Sequence, residues 1–440
     1  MRTPVVLSCY WLACLAALGT FFPLYSLYLS DNLGLSGWQV GLVLSVIPLV
    51  GMFAQPVWGA IADHSGSRTR ILTLLQVGTA LGYAGLHGRS SFGSAVVGTA
   101  VLAMFSTSVM PMSVSVSLAL LRENGPRAFG IVRSFGTLGY LLAVAAFPLL
   151  LHAVYEPAAP GMAAASAATA AVAASDAAAS NGLATSLPAQ QPAEPGLGLF
   201  LWVAAGAMTI AALISLLLPR TGAVAVRAQP GDWRRLARNG PYVRLLIVML
   251  TTYAFLHGPL VMFPMFVRSL GGGVDVVSHM WLFMLVFEIP LLAMMGGVRP
   301  WLGARELVAV GIGADGLRWL VCALSPSLAS IYAAQVLHGV AVAGVILGSA
   351  QYVEAVVPAR LASTAQGLVY MMGVSLGGIV STLIAGALVD RFGPTAPALF
   401  GGIGATVLVV ALPWILPRVR GRIADDFVQQ APVEATLPIT

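Results

Sequence analysis

Long apolar runs, each about 20 residues, alternate along this chain with short stretches holding Gly, Pro, Asp or Arg. That is the length an α-helix needs to cross roughly 30 Å of hydrocarbon. Twelve such runs occur, at about 5–29, 38–62, 71–88, 93–121, 129–153, 198–218, 242–267, 277–296, 306–324, 329–356, 365–389 and 397–417. The pattern predicts an all-α polytopic membrane protein with twelve transmembrane helices. An even count puts both termini on one side of the bilayer.

Two stretches break the pattern. Residues 154–197 are rich in Ala, Ser and Pro and lack the Ile and Phe of the spans, so they read as a low-complexity loop. Residues 219–241 are basic and link two sets of six runs. The expected organisation is a six-helix bundle over 1–218 carrying the loop 154–197, a cytoplasmic linker 219–241, a second bundle over 242–418 and a tail 419–440. An offset of 237 supports the halving. It lays Gly59 on Gly296, Gly66 on Gly303, Arg68 on Arg305, Gly130 on Gly367 and Gly136 on Gly373. Two pseudo-symmetric six-helix bundles with a site near the membrane midplane at their junction are a recurrent transporter plan.

Composition agrees. The 440 residues are 58% hydrophobic and 9% charged, whereas a soluble globule carries about a quarter charged residues. The arginines sort by side: sixteen lie in loops and tails on the terminus side, while Arg89, Arg268 and Arg391 lie opposite. The positive-inside rule then places both termini in the cytoplasm. The first run is too long for a cleaved signal and is expected to be retained. Cys9, Cys14 and Cys322 fall in apolar runs at no metal spacing, so neither a disulfide framework nor a metal is expected. No phosphate-binding loop or nucleophile elbow occurs, which argues against an enzyme, a cofactor or a nucleic-acid partner.

Against this background four ionisable residues stand inside apolar runs: Arg133, Glu288, Arg318 and His338. Each costs roughly 2.5–3.5 kcal/mol to insert, and such groups persist where they pair, line a wet cavity or handle an ion. Arg133 offers a planar fork of donors suited to a carboxylate; alternatively it snorkels towards the surface. Glu288, deep in the eighth run, is either a proton carrier or half of a permanent ion pair. Arg318 has Asp315 one turn before it, so a structural pair stands beside a coupling role. His338 belongs to the residue type that titrates near physiological pH, although a neutral hydrogen-bonded histidine is equally ordinary. Tyr25, Tyr140 and Trp319, with Phe21, Phe22 and Phe283, could flank a ring-bearing solute or simply pack helices.

The stretch "PVWGAIADHSGSRTR" resembles the signature of the major facilitator superfamily, with Gly59, Asp63, Gly66, Arg68 and Arg70 in the matching positions. The resemblance implies an inner gate in which Asp and Arg pair across the loop. "FFPLYSLYL", "FGIVRSFGTLGY", "FEIP", "LRW" and "QVLHG" resemble the lactose-permease and phenylpropionate-permease branch over nearly the whole chain. By that likeness Arg133, Tyr140, Glu288, Tyr25 and Trp319 would bind substrate, and Glu288, His338, Arg318 and Asp315 would couple protons. The chain departs from the lactose-permease pattern twice: the fourth span has no acid around Ser115, and Ala341 stands where that pattern has a glutamate. Lactose is thus a poor expectation. The expected function is proton-coupled uptake of a small organic solute, an aromatic or other carboxylate, by a functional monomer in a bacterial inner membrane. A proton-linked sugar or nucleoside importer is the alternative, and a drug exporter a third, since the fifth span lacks the Gly-Pro cluster of antiporters.

Overall fold

The computed structural model describes residues 2–124, 128–155, 196–220, 232–295, 302–358 and 361–419. Its elements in chain order are α1 (Arg2–Phe21), α2 (Tyr25–Asp31), α3 (Gly37–His64), α4 (Arg68–Leu86), α5 (Phe92–Leu120), α6 (Ala128–Tyr155), α7 (Leu199–Ser215) and α8 (Asp232–Arg238). They continue as α9 (Gly240–Val261), α10 (Phe263–Ser269), α11 (Val274–Met295), α12 (Ala304–Leu324), α13 (Leu328–Val356), α14 (Ala362–Tyr370), α15 (Gly378–Phe392) and α16 (Ala396–Ile415). No strand occurs among the described residues. In hydrocarbon, helices satisfy every backbone N–H and C=O internally. Most of the Ala-rich loop, most of the linker and the tail from 420 lie outside the described residues.

Among the described residues ten helices are long and apolar enough to cross a membrane. The third predicted run coincides with α4, which is 19 residues long and opens on Arg68 and Arg70. The sixth coincides with α7, a shorter apolar helix of 17 residues. Three predicted runs are less uniform than their composition suggests. The first breaks at Phe22–Leu24, between α1 and α2, where Pro23 lacks the N–H that would continue the ladder. The seventh breaks at Met262, ahead of Pro264. The eleventh passes through a π-helical stretch, Met371–Gly377, between α14 and α15.

Contacts divide the chain into two compact units: Met1–Val224 with Val261–Leu282, and Ala225–Leu260 with Phe283–Thr440. In the first unit α1 packs on α6 and α7, α3 on α5, and α4 on α5 and α7. In the second unit α12 packs on α13 and α16. Gly373 and Gly377 seat the eleventh run on α9 at Tyr253 and Leu250, as Gly401 and Gly404 seat α16 on Phe255. Gly339 seats α13 on α11. Gly130 and Gly367, which the offset of 237 lays on one another, both face open space.

Candidate functional site

In the first unit α6 presents Arg133 and Tyr140. Close backbone approach fixes their surroundings. A methyl group at Gly136 would lie 2.7 Å from Leu15, one at Gly139 would overlap the Leu12 carbonyl, and one at Gly19 would lie 2.7 Å from the Tyr140 carbonyl oxygen. Small residues of this kind let membrane helices touch. The contact sets the Arg133 guanidinium over the Trp11 ring, 4.7 Å from its centroid, a favourable cation–π geometry. Trp11 is buried and donates from Nε1 to Ser117 Oγ at 3.0 Å. Arg133 is half-buried, and among the described residues no carboxylate lies within ion-pairing distance of it. Tyr25 is buried on α2, stacked on Phe21 with its hydroxyl bonded to Thr99.

The second unit gathers the other three, Glu288, Arg318 and His338, together with Asp315. Gly339 is the cause: a methyl group there would sit 3.0 Å from both Glu288 Cα and the Phe287 carbonyl oxygen. With α13 so near α11, His338 Nε2 lies 3.4 Å from Glu288 Oε2. Both side chains are largely buried, and His338 Nδ1 is buried with no hydrogen-bond partner among the described residues. On α12, Arg318 Nε is 2.8 Å from Asp315 Oδ1. The N–H is not aimed at that oxygen, so the contact is an ion pair rather than an aligned hydrogen bond. Arg318 Nη1 donates to Gln335 Oε1 at 3.1 Å and approaches Met284 Sδ at 3.4 Å. Its guanidinium lies 4.1 Å from the centroid of the Trp319 ring, and both residues are 1% exposed. Trp319 is thus packed within the core of its unit. Gln335 is also fully buried and uses Nε2 to donate to the Ile331 carbonyl.

The residues expected to form a gate meet around the loop between α3 and α4. Gly66 takes φ of +68°, a left-handed conformation that glycine adopts without strain. The turn returns Arg68 to Asp63, with Nη2 2.7 Å from Oδ1, while Nη1 donates to Ser115 Oγ at 2.7 Å. Ser115, the position without the expected acid, is therefore engaged by Arg68. Gly59 has open space around it, and Arg70 is exposed. At the repeat-related position Arg305 bonds its neighbour Glu306 at 2.9 Å, and Arg418 bonds the same carboxylate at 2.7 Å.

Trp11 and Gln335 join these clusters without having been singled out by sequence. Gln335 had a signal, being three residues before His338 and so on the same helix face. Trp11 had none, because its neighbour Arg133 is far away in the chain.

Comparison with known proteins comes to transporters. The family profile described as "MFS_1 like family" matches residues 5–400. The maltose permease of Geobacillus stearothermophilus is 29% identical over 408 residues, covering 92% of each chain. The uncharacterized transporter YwbF of Bacillus subtilis (strain 168) is 25% identical over 405 residues, covering 91% of this chain and 90% of its own. Among solved structures, the nucleoside transporter NupG superposes with a TM-score of 0.75 at 16% identity, covering 95% of this chain and 100% of its own. The POT family transporter PepTSo reaches 0.68 at 12% identity, covering 98% of this chain and 99% of its own. At such identities the structures share the fold.

Proposed function

Since the chain belongs to the MFS_1 like family and is therefore a transporter and not an enzyme, we propose that it imports a small organic solute bearing a carboxylate, aromatic or otherwise, together with protons. The observation that carries this reading is Arg133, a half-buried guanidinium stacked on Trp11 with no carboxylate within reach among the described residues. An anionic solute supplies the missing charge, and a charge-assisted bidentate pair is the strongest bond that fork makes. Trp11 offers a ring face beside it.

Proton coupling rests on Glu288 and His338, which share one contact across two helices. Arg318 lies in the same unit and is held by Asp315 and Gln335. Solute binding and protonation bias the same alternating exposure of the site to each face. Twelve spans, both termini in the cytoplasm and a monomer in the inner membrane complete the proposal, supported by the arginine asymmetry of the loops.

A neutral sugar or nucleoside is the second reading, favoured by the similarity to a maltose permease over 92% of each chain. Thermal-shift measurements on the purified protein with benzoate, 3-phenylpropionate, maltose and uridine separate the two. Stabilisation by the carboxylates, lost in Arg133→Gln, supports the first reading. Stabilisation by maltose or uridine alone moves the assignment to the second.

A further inference from the structure

We propose that Trp11, held in place by Ser117, is the resting partner of Arg133, and that this arrangement makes the site prefer an anionic solute to a neutral one. The inference rests on the reading of Arg133 as the solute-binding group. Trp11 is fully buried, and its ring is fixed on three sides. Nε1 donates to Ser117 Oγ at 3.0 Å. The Tyr10 ring meets it edge-on at 6.0 Å and 76°, and the Phe129 ring at 6.3 Å and 75°. Phe129 and Arg133 are one turn apart on α6, so a single helix face supplies both an edge contact and the cation. Gly136 leaves room for that cation: a methyl group there would sit 3.2 Å from Arg133 Nη1.

Ser117 belongs to a stripe of hydroxyls along α5. Thr99, Ser113 and Ser117 are separated by close to whole helical turns, and all three are fully buried. Each meets an aromatic side chain from α1 or α2: Thr99 meets Tyr25, Ser113 meets Tyr10 and Ser117 meets Trp11. Thr99 and Ser113 already donate to the carbonyls of Ala95 and Val109. A hydroxyl has one proton, so both tyrosines are the donors, as the indole N–H must be. α1 packs on α6 and α7, and these donated bonds tie α1 and α2 to α5 as well. Ser117 thereby sets the rotation of the indole, and with it the direction of the face that Arg133 covers.

An indole gives Arg133 something different from what a carboxylate would give. The π face offsets the lost hydration of the cation but takes none of its five N–H donors, whereas a carboxylate engages two of them. An arginine paired with an acid has little attraction left for an anion. One resting on an indole keeps its full charge and its donors for a carboxylate that enters. The site selects charge because its cation is sheltered without being paired.

The test compares 3-phenylpropionate with its neutral amide, 3-phenylpropanamide, by calorimetric binding to the purified protein. The parent should favour the acid. In Ser117→Ala the acid should bind about tenfold more weakly, the size of one sheltered cation–π contact, while the amide changes little. Ser117→Thr keeps an acceptor and should restore the preference. Trp11→Phe keeps a ring without the N–H and should match Ser117→Ala. Combining the two should cost nothing further, because both remove the same bond. A readout without solute is the Arg133 Nε–H resonance in protein with labelled arginine. It should be shifted upfield by the indole ring and return to the ordinary arginine region in Ser117→Ala. Equal weakening of acid and amide in Ser117→Ala overturns the charge preference, and a resonance that stays in place overturns the positioning. A parent that does not favour the acid, or an Arg133→Gln variant that still binds it fully, refutes the proposed function instead. The resonance alone then decides whether Ser117 and Trp11 position Arg133.

Discussion

Glu288 and His338 meet across two helices, Oε2 to Nε2 at 3.4 Å, because the glycine following His338 lets its helix ride on the backbone of Glu288. The polar contact is a product of backbone packing. Gly339→Val should therefore harm the protein twice. The added bulk has to push α13 away from backbone atoms that cannot move independently, costing about 1–3 kcal/mol of stability as overpacking does. Thermal unfolding in detergent should show the loss, and transport by the surviving fraction should fall with it.

Glu288→Gln tests the pair itself. The amide keeps the shape but cannot carry a proton. Accumulation driven by a proton gradient should vanish, while exchange of labelled for unlabelled solute across equilibrated vesicles should persist. Loss of both activities would assign Glu288 to solute binding instead.

Arg318 is 1% exposed and depends on Asp315 for charge compensation. Removing one partner of a buried pair leaves the other charge uncompensated, at roughly 3–5 kcal/mol. Asp315→Asn should destabilise strongly, and combining it with Arg318→Met should restore much of the unfolding temperature. A double variant no better than the single would mean that Asp315 matters for something other than Arg318.

The gate pair behaves differently. Asp63 and Arg68 are 2.7 Å apart, but the Asp63 side chain is 44% exposed. Such surface pairs contribute about 0.2–1 kcal/mol. Asp63→Asn should leave the melting temperature almost unchanged while lowering the initial rate of uptake several-fold, since the pair acts on the balance of states rather than on the fold.

Much of this architecture is visible in the chain because lipid imposes one rule on every span: long, apolar and helical. The breaks at Phe22–Leu24 and Met262 are harder to read, since Pro23 and Pro264 sit beside them while Pro48 and Pro111 lie inside unbroken helices. Local spacing exposes Asp315 with Arg318, one turn apart. Nothing local announces that Trp11 underlies Arg133, that Arg68 bonds Ser115, or that Asp31 meets Arg268. Those contacts join residues distant in sequence and are fixed by how helices stack. Trp319 marks the same limit: its place beside Arg318 in the chain invites a substrate role, but it lies packed in its unit's core.

The most direct test of the account is uptake of a radiolabelled aromatic carboxylate into proteoliposomes with an acidic exterior and an alkaline lumen. Inward proton flow should concentrate the solute above its external level, a protonophore should release it, and Arg133→Gln should abolish uptake. Uptake that only equilibrates and ignores the pH gradient would contradict proton coupling, and full uptake by Arg133→Gln would remove the guanidinium from the binding site.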